Sequence, residues 1–200
     1  MIHAVVGTKA QMVKMAPLLA RLQSRGIPYN FIFTGQHRET MEDLRENFGV
    51  KPPDVILYEG RDITSVSAMI VWGARILWRA RRRRPDPFRG DRRGLVLTHG
   101  DTFSCLLGAI LGRAAGMTVA HVESGLRSFN LFHPFPEEIT RLLTFRLAHI
   151  YFCPGDWAAQ NLARYRGEKV NTVHNTLLDA QRLAIQRANE GAGAAAIPAG

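Results

Sequence analysis

The chain has 200 residues, 46% apolar, 8% aromatic and 22% charged, enough to bury roughly 70% of its unfolded surface and too apolar for a disordered segment. Its two cysteines, Cys105 and Cys153, lack CxxC or Cys/His ligand spacing, which excludes a disulfide framework and a zinc site and leaves buried free thiols as the expectation. The formal net charge is +9, and nine arginines between Arg75 and Arg93, against Asp86 and Asp91, hold +7 of it, so the basic excess belongs to one segment.

Short runs rich in Val, Ile, Phe and Leu alternate with longer helical patterns. Expected strands are Ile2–Val6, Tyr29–Phe33, Val55–Leu57, Leu95–Thr98, Thr118–His121, Ile150–Phe152 and Val170–Val173. Expected helices lie near Ala10–Ser24, Arg38–Asn47, Ile63–Arg84, Thr102–Ala115, Glu137–Ala148, Trp157–Tyr165 and Leu177–Asn189. Continuous apolar strands separated by amphipathic helices signify βαβ units, hence an α/β fold with a doubly wound, Rossmann-like parallel sheet. Residues 1–190 are expected as one lobe, with the small-residue stretch 191–200 as a flexible tail. The opening MIHAVVGTK is too short in its apolar run for a secretory leader, and Arg75 interrupts the longest apolar segment, so a soluble cytoplasmic protein without a membrane partner is expected.

Right-handed crossovers gather the loops that follow the strands on one edge of such a sheet, where ligands bind. Gly7-Thr8-Lys9 resembles an anion cradle, with Lys9 and Lys14 adding charge, though a tight strand-to-helix turn uses the same residues. Asp101 precedes a helix and reads equally as its N-cap. Glu123 closes a buried strand, where a carboxylate needs a cation such as Arg127 or a chemical task. Glu137 and Glu138 suit the acidic first turn of a helix. Carboxylates converging on one edge are expected to repel one another and to raise at least one pKa into the range of acid/base work. Gly108, Gly112 and Gly116 are expected to permit close helix–sheet packing. The Arg75–Arg93 segment reads first as a solvated basic loop at a helix end.

GTKAQMVKMAPL, TGQHRETM, LTHGDTFS, VAHVESGLRS, PFPEEITR and HNTLLDA occur in this order from about Met1 to Ala180. The set resembles the non-hydrolysing UDP-N-acetylglucosamine 2-epimerases, whose usual forms are GTRPEAIKMAPL, TGQHREML, VHGDTTS, HVEAGLR, PxPEExNR and GNTVIDA. The resemblance implies one lobe of a glycosyltransferase-B-like fold. It also implies interconversion of UDP-GlcNAc and UDP-ManNAc by elimination and re-addition of UDP, for cell-surface polysaccharide biosynthesis, with no metal or redox cofactor. By motif position, Asp101, Glu123 and Glu137 are the implied acid/base carboxylates. Lys9 and Lys14 would face the phosphates, and Arg141 would pair a carboxylate or touch the ligand. Gln36 and His37 match a loop that holds a second, regulatory UDP-GlcNAc.

Several positions depart from the usual forms. Lys9 stands in place of arginine, Ala10-Gln11 in place of Pro-Glu, Ser124 in place of alanine and Thr140 in place of asparagine. The chain stops at Gly200, about where the family's second lobe, with most nucleotide contacts and a catalytic histidine, would begin. A separate nucleotide-binding lobe protein and a homo-oligomer are thus candidate partners. Two further functions compete: a non-catalytic nucleotide-sugar binding or regulatory module, and an anionic-partner binder using Arg75–Arg93. Nucleic acid is not the expected partner, because that segment lacks interleaved aromatics and a recognisable nucleic-acid motif.

Overall fold

The computed structural model describes residues 1–195 apart from residues 38, 40, 83 and 84, with side chains described as far as residue 189. In chain order the elements are β1 (Ile2–Val6), α1 (Lys9–Ser24), β2 (Tyr29–Phe33), α2 (Met41–Asn47), β3 (Val55–Ile56), α3 (Val66–Arg81), β4 (Leu95–His99), α4 (Phe103–Ala114), β5 (Thr118–Val122), α5 (Glu137–Leu147), β6 (Ile150–Cys153), α6 (Asp156–Asn161), β7 (Glu168–Asn171) and α7 (Thr176–Ala195). The seven strands form one sheet in the order β3-β2-β1-β4-β5-β6-β7, with every neighbouring pair parallel. This is the expected doubly wound α/β fold, with its switch of direction between β1 and β4.

Alternating strand residues point to opposite faces and build two cores. Val5, Ile32, Val96, Val119 and Tyr151 pack beneath α3 to α6, and Ala4, Phe31, Leu97 and Val122 pack beneath α1, α2 and α7. Strand β2 is buried at all five positions, whereas β7 at the edge is at most half-buried and lies two residues before the span its apolar pattern suggests. Helix α4 sits so close to the sheet that a Cβ on Gly108 would fall 2.9 Å from Val5 and Thr98, and one on Gly112 2.9 Å from Val96. Gly116 does not share that packing role. It follows the α4 C-cap at φ +76 in open space, the left-handed turn that ends a helix.

Both cysteines are buried, and burial pushes the Cys105 thiol up to about 12 and the Cys153 thiol up to about 11. Helix α7 continues through Ala195, so helical backbone covers the first part of the stretch 191–200, and residues 196–200 lie outside the described residues. Arg38, at the expected start of α2, and Arg83 and Arg84, in the expected end of α3, also lie outside them. Among the described residues no helix is long and apolar enough to cross a membrane.

Candidate functional site

The loops after β1, β4 and β5 meet at the carboxyl edge beside the switch point. Gly7 lets β1 turn into α1 against its neighbours, since a Cβ there would lie 2.0 Å from both Ser104 Oγ and Thr34 Oγ1. Thr8 caps α1, and Gln11 completes a capping box. Gln11 Oε1 accepts the amides of Gly7 at 2.9 Å and Thr8 at 3.3 Å, while its Nε2 donates to His99 O at 2.8 Å. The two loop amides are therefore satisfied within the chain, and the tight-turn reading holds for them. Lys9 is half-buried at the first position of α1.

Glu123 follows β5 in a left-handed conformation, φ +58, uncommon for a residue with a side chain. Its carboxylate is 4% exposed and receives Lys14 Nζ at 2.6 and 2.9 Å, Asn175 Nδ2 at 3.2 Å and His99 Nε2 at 3.0 Å. Burial alone would push the Glu123 carboxyl up, but hydrogen bonds and charge from His99 and Lys14 outweigh it and hold it down at about 2. The expected partner Arg127 instead binds Glu138. Lys14, expected at the phosphates, spends its ammonium on Glu123.

Asp101 is not the N-cap of α4; Thr102 is, accepting from Cys105 N. Of two adjacent capping residues, the one whose oxygen reaches the N3 amide takes the role. This frees the Asp101 carboxylate, 30% exposed, to pair with Arg141 of α5, which also donates to Glu138 at 3.1 Å. Thr140 Oγ1 donates to the Asp101 carbonyl, fixing the start of α5 against the β4 loop. Glu138 is wholly buried. Besides Arg127 and Arg141 it accepts Ser128 N at 3.1 Å, and these donors lower its pKa against the opposing effect of burial. Pairing of this kind overturns the expected mutual repulsion: Glu123 and Glu138 are lowered because cations were brought in with them.

Glu137 is the exception. Its Oε2 is buried with no hydrogen-bond partner among the described residues, an expensive state that calls for an explanation. Beneath the loops, His121 donates through Nε2 to Gly100 O at 2.7 Å and accepts at Nδ1 from Ser124 Oγ at 2.8 Å. Burial pushes its pKa down to about 4, so a neutral imidazole ties the Asp101 loop to the Glu123 loop. Gln36 is buried and accepts Ser104 Oγ at 2.6 Å and Ser104 N at 3.1 Å. The backbone amide of His37 donates to Gly7 O at 2.8 Å. Gln36 and His37 thus brace the β1 turn.

Reading the residues one by one missed His99, Asn175 and Thr176. Asn175 and Thr176 stand inside the HNTLLDA motif, which was the available signal, and Thr176 Oγ1 lies 3.4 Å from His99 Nε2. A cavity of about 480 Å³ opens on the α1–α7 face, with Leu18, Leu97 and Phe152 at its apolar side and Glu123, Asn175 and Thr176 at its polar end. Asp101 and Glu137 do not line it.

A family model described as UDP-N-acetylglucosamine 2-epimerase matches residues 20–198. The UDP-N-acetylglucosamine 2-epimerase of Campylobacter jejuni is 31% identical over 88% of this chain and 45% of its own length, and that of Yersinia pestis is 33% identical over 88% and 46%. The crystal structure of UDP-GlcNAc 2-epimerase from Neisseria meningitidis bound to UDP-GlcNAc superposes with a TM-score of 0.79 at 28% identity, over 94% of this chain and 49% of that one. This chain spans about half the length of the curated relatives it matches. Its sheet corresponds to one lobe of their glycosyltransferase-B-like fold. Matched along nearly its whole length in sequence and in superposed structure, the chain belongs to the UDP-N-acetylglucosamine 2-epimerase family.

Proposed function

We propose that this chain supplies the carboxylate-bearing half of a UDP-GlcNAc 2-epimerase site acting in the cytoplasm in cell-surface polysaccharide biosynthesis. The observation that carries the reading is the Glu137 carboxylate, with a buried oxygen that has no hydrogen-bond partner among the described residues, on the helix whose Arg141 holds Asp101. A base removes the proton from carbon-2 of the sugar, the electron pair forms the carbon-1–carbon-2 double bond, and the bond to UDP breaks with UDP leaving as the diphosphate. Re-addition with protonation on the opposite face gives UDP-ManNAc. Carbon-2 is too weakly acidic to ionise unaided, so a placed general base is essential.

Glu137 and Asp101 are the proton-transfer pair. Glu123, kept ionised by Lys14 and His99, is the third carboxylate and sets the charge of the floor. Lys9 faces the departing pyrophosphate, Arg141 orients Asp101, and Gln36 and His37 shape the loop assigned to a regulatory nucleotide sugar. A second lobe completes the cleft. Residues 1–190 form the lobe, and 191–200 are its small-residue tail. Without that second half the Asp101 carboxylate, 30% exposed, stays hydrated and its charge interactions stay weak.

NMR of UDP-GlcNAc in heavy water tests this reading. The chain alone is expected to convert substrate far below the ordinary enzyme range of about 1–10³ s⁻¹, and turnover within that range would show the second half to be dispensable. A non-catalytic nucleotide-sugar module is the second reading, favoured by Gln11 occupying the loop amides. It predicts binding with no deuterium at carbon-2 in any assembly.

A further inference from the structure

Gly100, at φ +71 with open space beside it, leaves the main chain just before Asp101 without the constraint of a side chain. Two hydroxyls from other segments meet that main chain on either side of Asp101. Ser124 Oγ donates to His121 Nδ1 at 2.8 Å, and His121 Nε2 donates in turn to Gly100 O at 2.7 Å. Thr140 Oγ1 faces both the Asp101 carbonyl and, at 2.8 Å, the Glu137 carbonyl, with its one proton between them. Ser124 is wholly buried, and His121 and Thr140 are nearly so. Ser124 stands where the usual form has alanine, which carries no donor, and Thr140 where it has asparagine.

A carbonyl oxygen only accepts, so the bond to Gly100 O places the His121 proton on Nε2, and the neutral ring presents a lone pair at Nδ1. The Ser124 hydroxyl satisfies that lone pair. Gly100 O is coplanar with the nitrogen and Cα of Asp101, and Asp101 O with its own Cα and the nitrogen of Thr102. Holding both oxygens therefore holds the two peptide planes that meet at the Asp101 Cα. This sets φ and ψ there, and with them the direction of the Cα–Cβ bond and the rotamers open to the side chain. Arg141 draws the carboxylate toward α5, but an ion pair on a partly exposed group does not by itself orient the backbone beneath it.

We propose that Ser124, acting through His121, and Thr140 are positioning residues that set the direction of the Asp101 carboxylate and its spacing from Glu137. The proposal rests on the reading of Asp101 and Glu137 as the proton-transfer pair. A group that takes or gives a proton must lie within hydrogen-bond reach of it, and small misplacements are costly in rate. Thr140 serves both members of the pair, because its hydroxyl lies on the main-chain carbonyls of the two carboxylate residues at once. Ser124, wholly buried, acts only through the imidazole ring.

NMR of the isotopically labelled full chain without nucleotide tests the proposal, so its failure leaves the epimerase reading standing. In the parent, His121 is expected as the Nε2-protonated tautomer with a hydrogen-bonded Nδ1. Asp101 is expected to show a single χ1 rotamer, from the couplings of its nitrogen and carbonyl carbon to Cγ, and an amide order parameter of about 0.85. Ser124→Ala and Thr140→Val are each expected to average χ1 and to lower the order parameter below about 0.6, with circular dichroism unchanged. Thr140→Ser, which keeps the hydroxyl, is expected to restore the parent values. A purely structural role would instead lower the melting temperature and shift α5 while leaving the Asp101 couplings as they are. An Nδ1-protonated or cationic His121 at neutral pH, an Asp101 as ordered in both variants as in the parent, a Thr140→Ser that matches Thr140→Val, or loss of the fold in either variant would each overturn it.

Discussion

Lys14 Nζ lies 2.6 Å from Glu123 Oε2 and 2.9 Å from Oε1, joining residues 109 positions apart across the β1–α1 and β5 loops. Lys14→Met leaves the buried carboxylate with His99 and Asn175 only. A loss of about 1.5–3 kcal/mol in unfolding free energy is expected, the usual worth of a hydrogen bond to a charged group. Urea denaturation at neutral pH measures it, and an unchanged midpoint would detach Lys14 from Glu123.

The two perturbed groups beneath the loops give stability a stepped acid limb. Burial lowers the His121 pKa from 6.5 to about 4, so between those values the unfolded chain takes up a proton that the folded chain refuses. Stability therefore declines as pH falls through that window, with His3 and His149, also lowered by burial, contributing. Glu123, at about 2 instead of 4.5, adds a second decline as pH falls below about 4.5. Urea midpoints across pH are expected to show His121→Asn flattening the upper step and Lys14→Met the lower one. Identical profiles for both variants and the parent would contradict these assignments.

Adjacent glutamates on α5 separate chemistry from structure. Glu137→Gln, at a carboxylate whose buried Oε2 has no hydrogen-bond partner among the described residues, is expected to leave the melting temperature nearly unchanged and to cut turnover of the completed enzyme by about 10²-fold or more. Glu138→Gln breaks the buried network with Arg127 and Arg141 and is expected to cost about 3–5 kcal/mol. Thermal melts and initial rates on both variants check this, and a reversed pattern would exchange their roles.

Lys9 supplies a point charge where the family's usual form has a planar fork. Lys9→Arg is expected to tighten UDP binding by roughly 1 kcal/mol, because a guanidinium can grip two phosphate oxygens at once. Calorimetry with UDP reads the change; an unaltered dissociation constant would take Lys9 away from the pyrophosphate.

The interior strands β1, β2, β4, β5 and β6 were legible because burial on both faces demands apolar runs, and Ile2–Val6 and Tyr29–Phe33 agree residue for residue. Strand β7 was misplaced because an edge strand as polar as Glu168–Asn171 carries no such run. Topology brought Asp101, Glu123 and Glu137 to one edge without revealing their partners. Nothing in the local sequence distinguishes Arg127 reaching Glu138, as it does, from Arg127 reaching Glu123; the backbone path of the loop between β5 and α5 decides. The choice of Thr102 over Asp101 as cap is likewise a matter of ångströms between neighbouring residues of the same propensity.

A titration of the isotopically labelled chain with UDP-GlcNAc, followed by amide NMR, tests most directly whether this edge is the nucleotide-sugar half-site. Binding is expected to be millimolar or weaker, on the order of 4 kcal/mol, with the largest shifts at Lys9, Gly100–Thr102 and Glu137–Arg141 and their loss in Glu137→Gln with Lys9→Ala. Shifts confined to the amino edge, or none at saturating nucleotide sugar, would contradict the assignment of the Asp101–Glu137 edge.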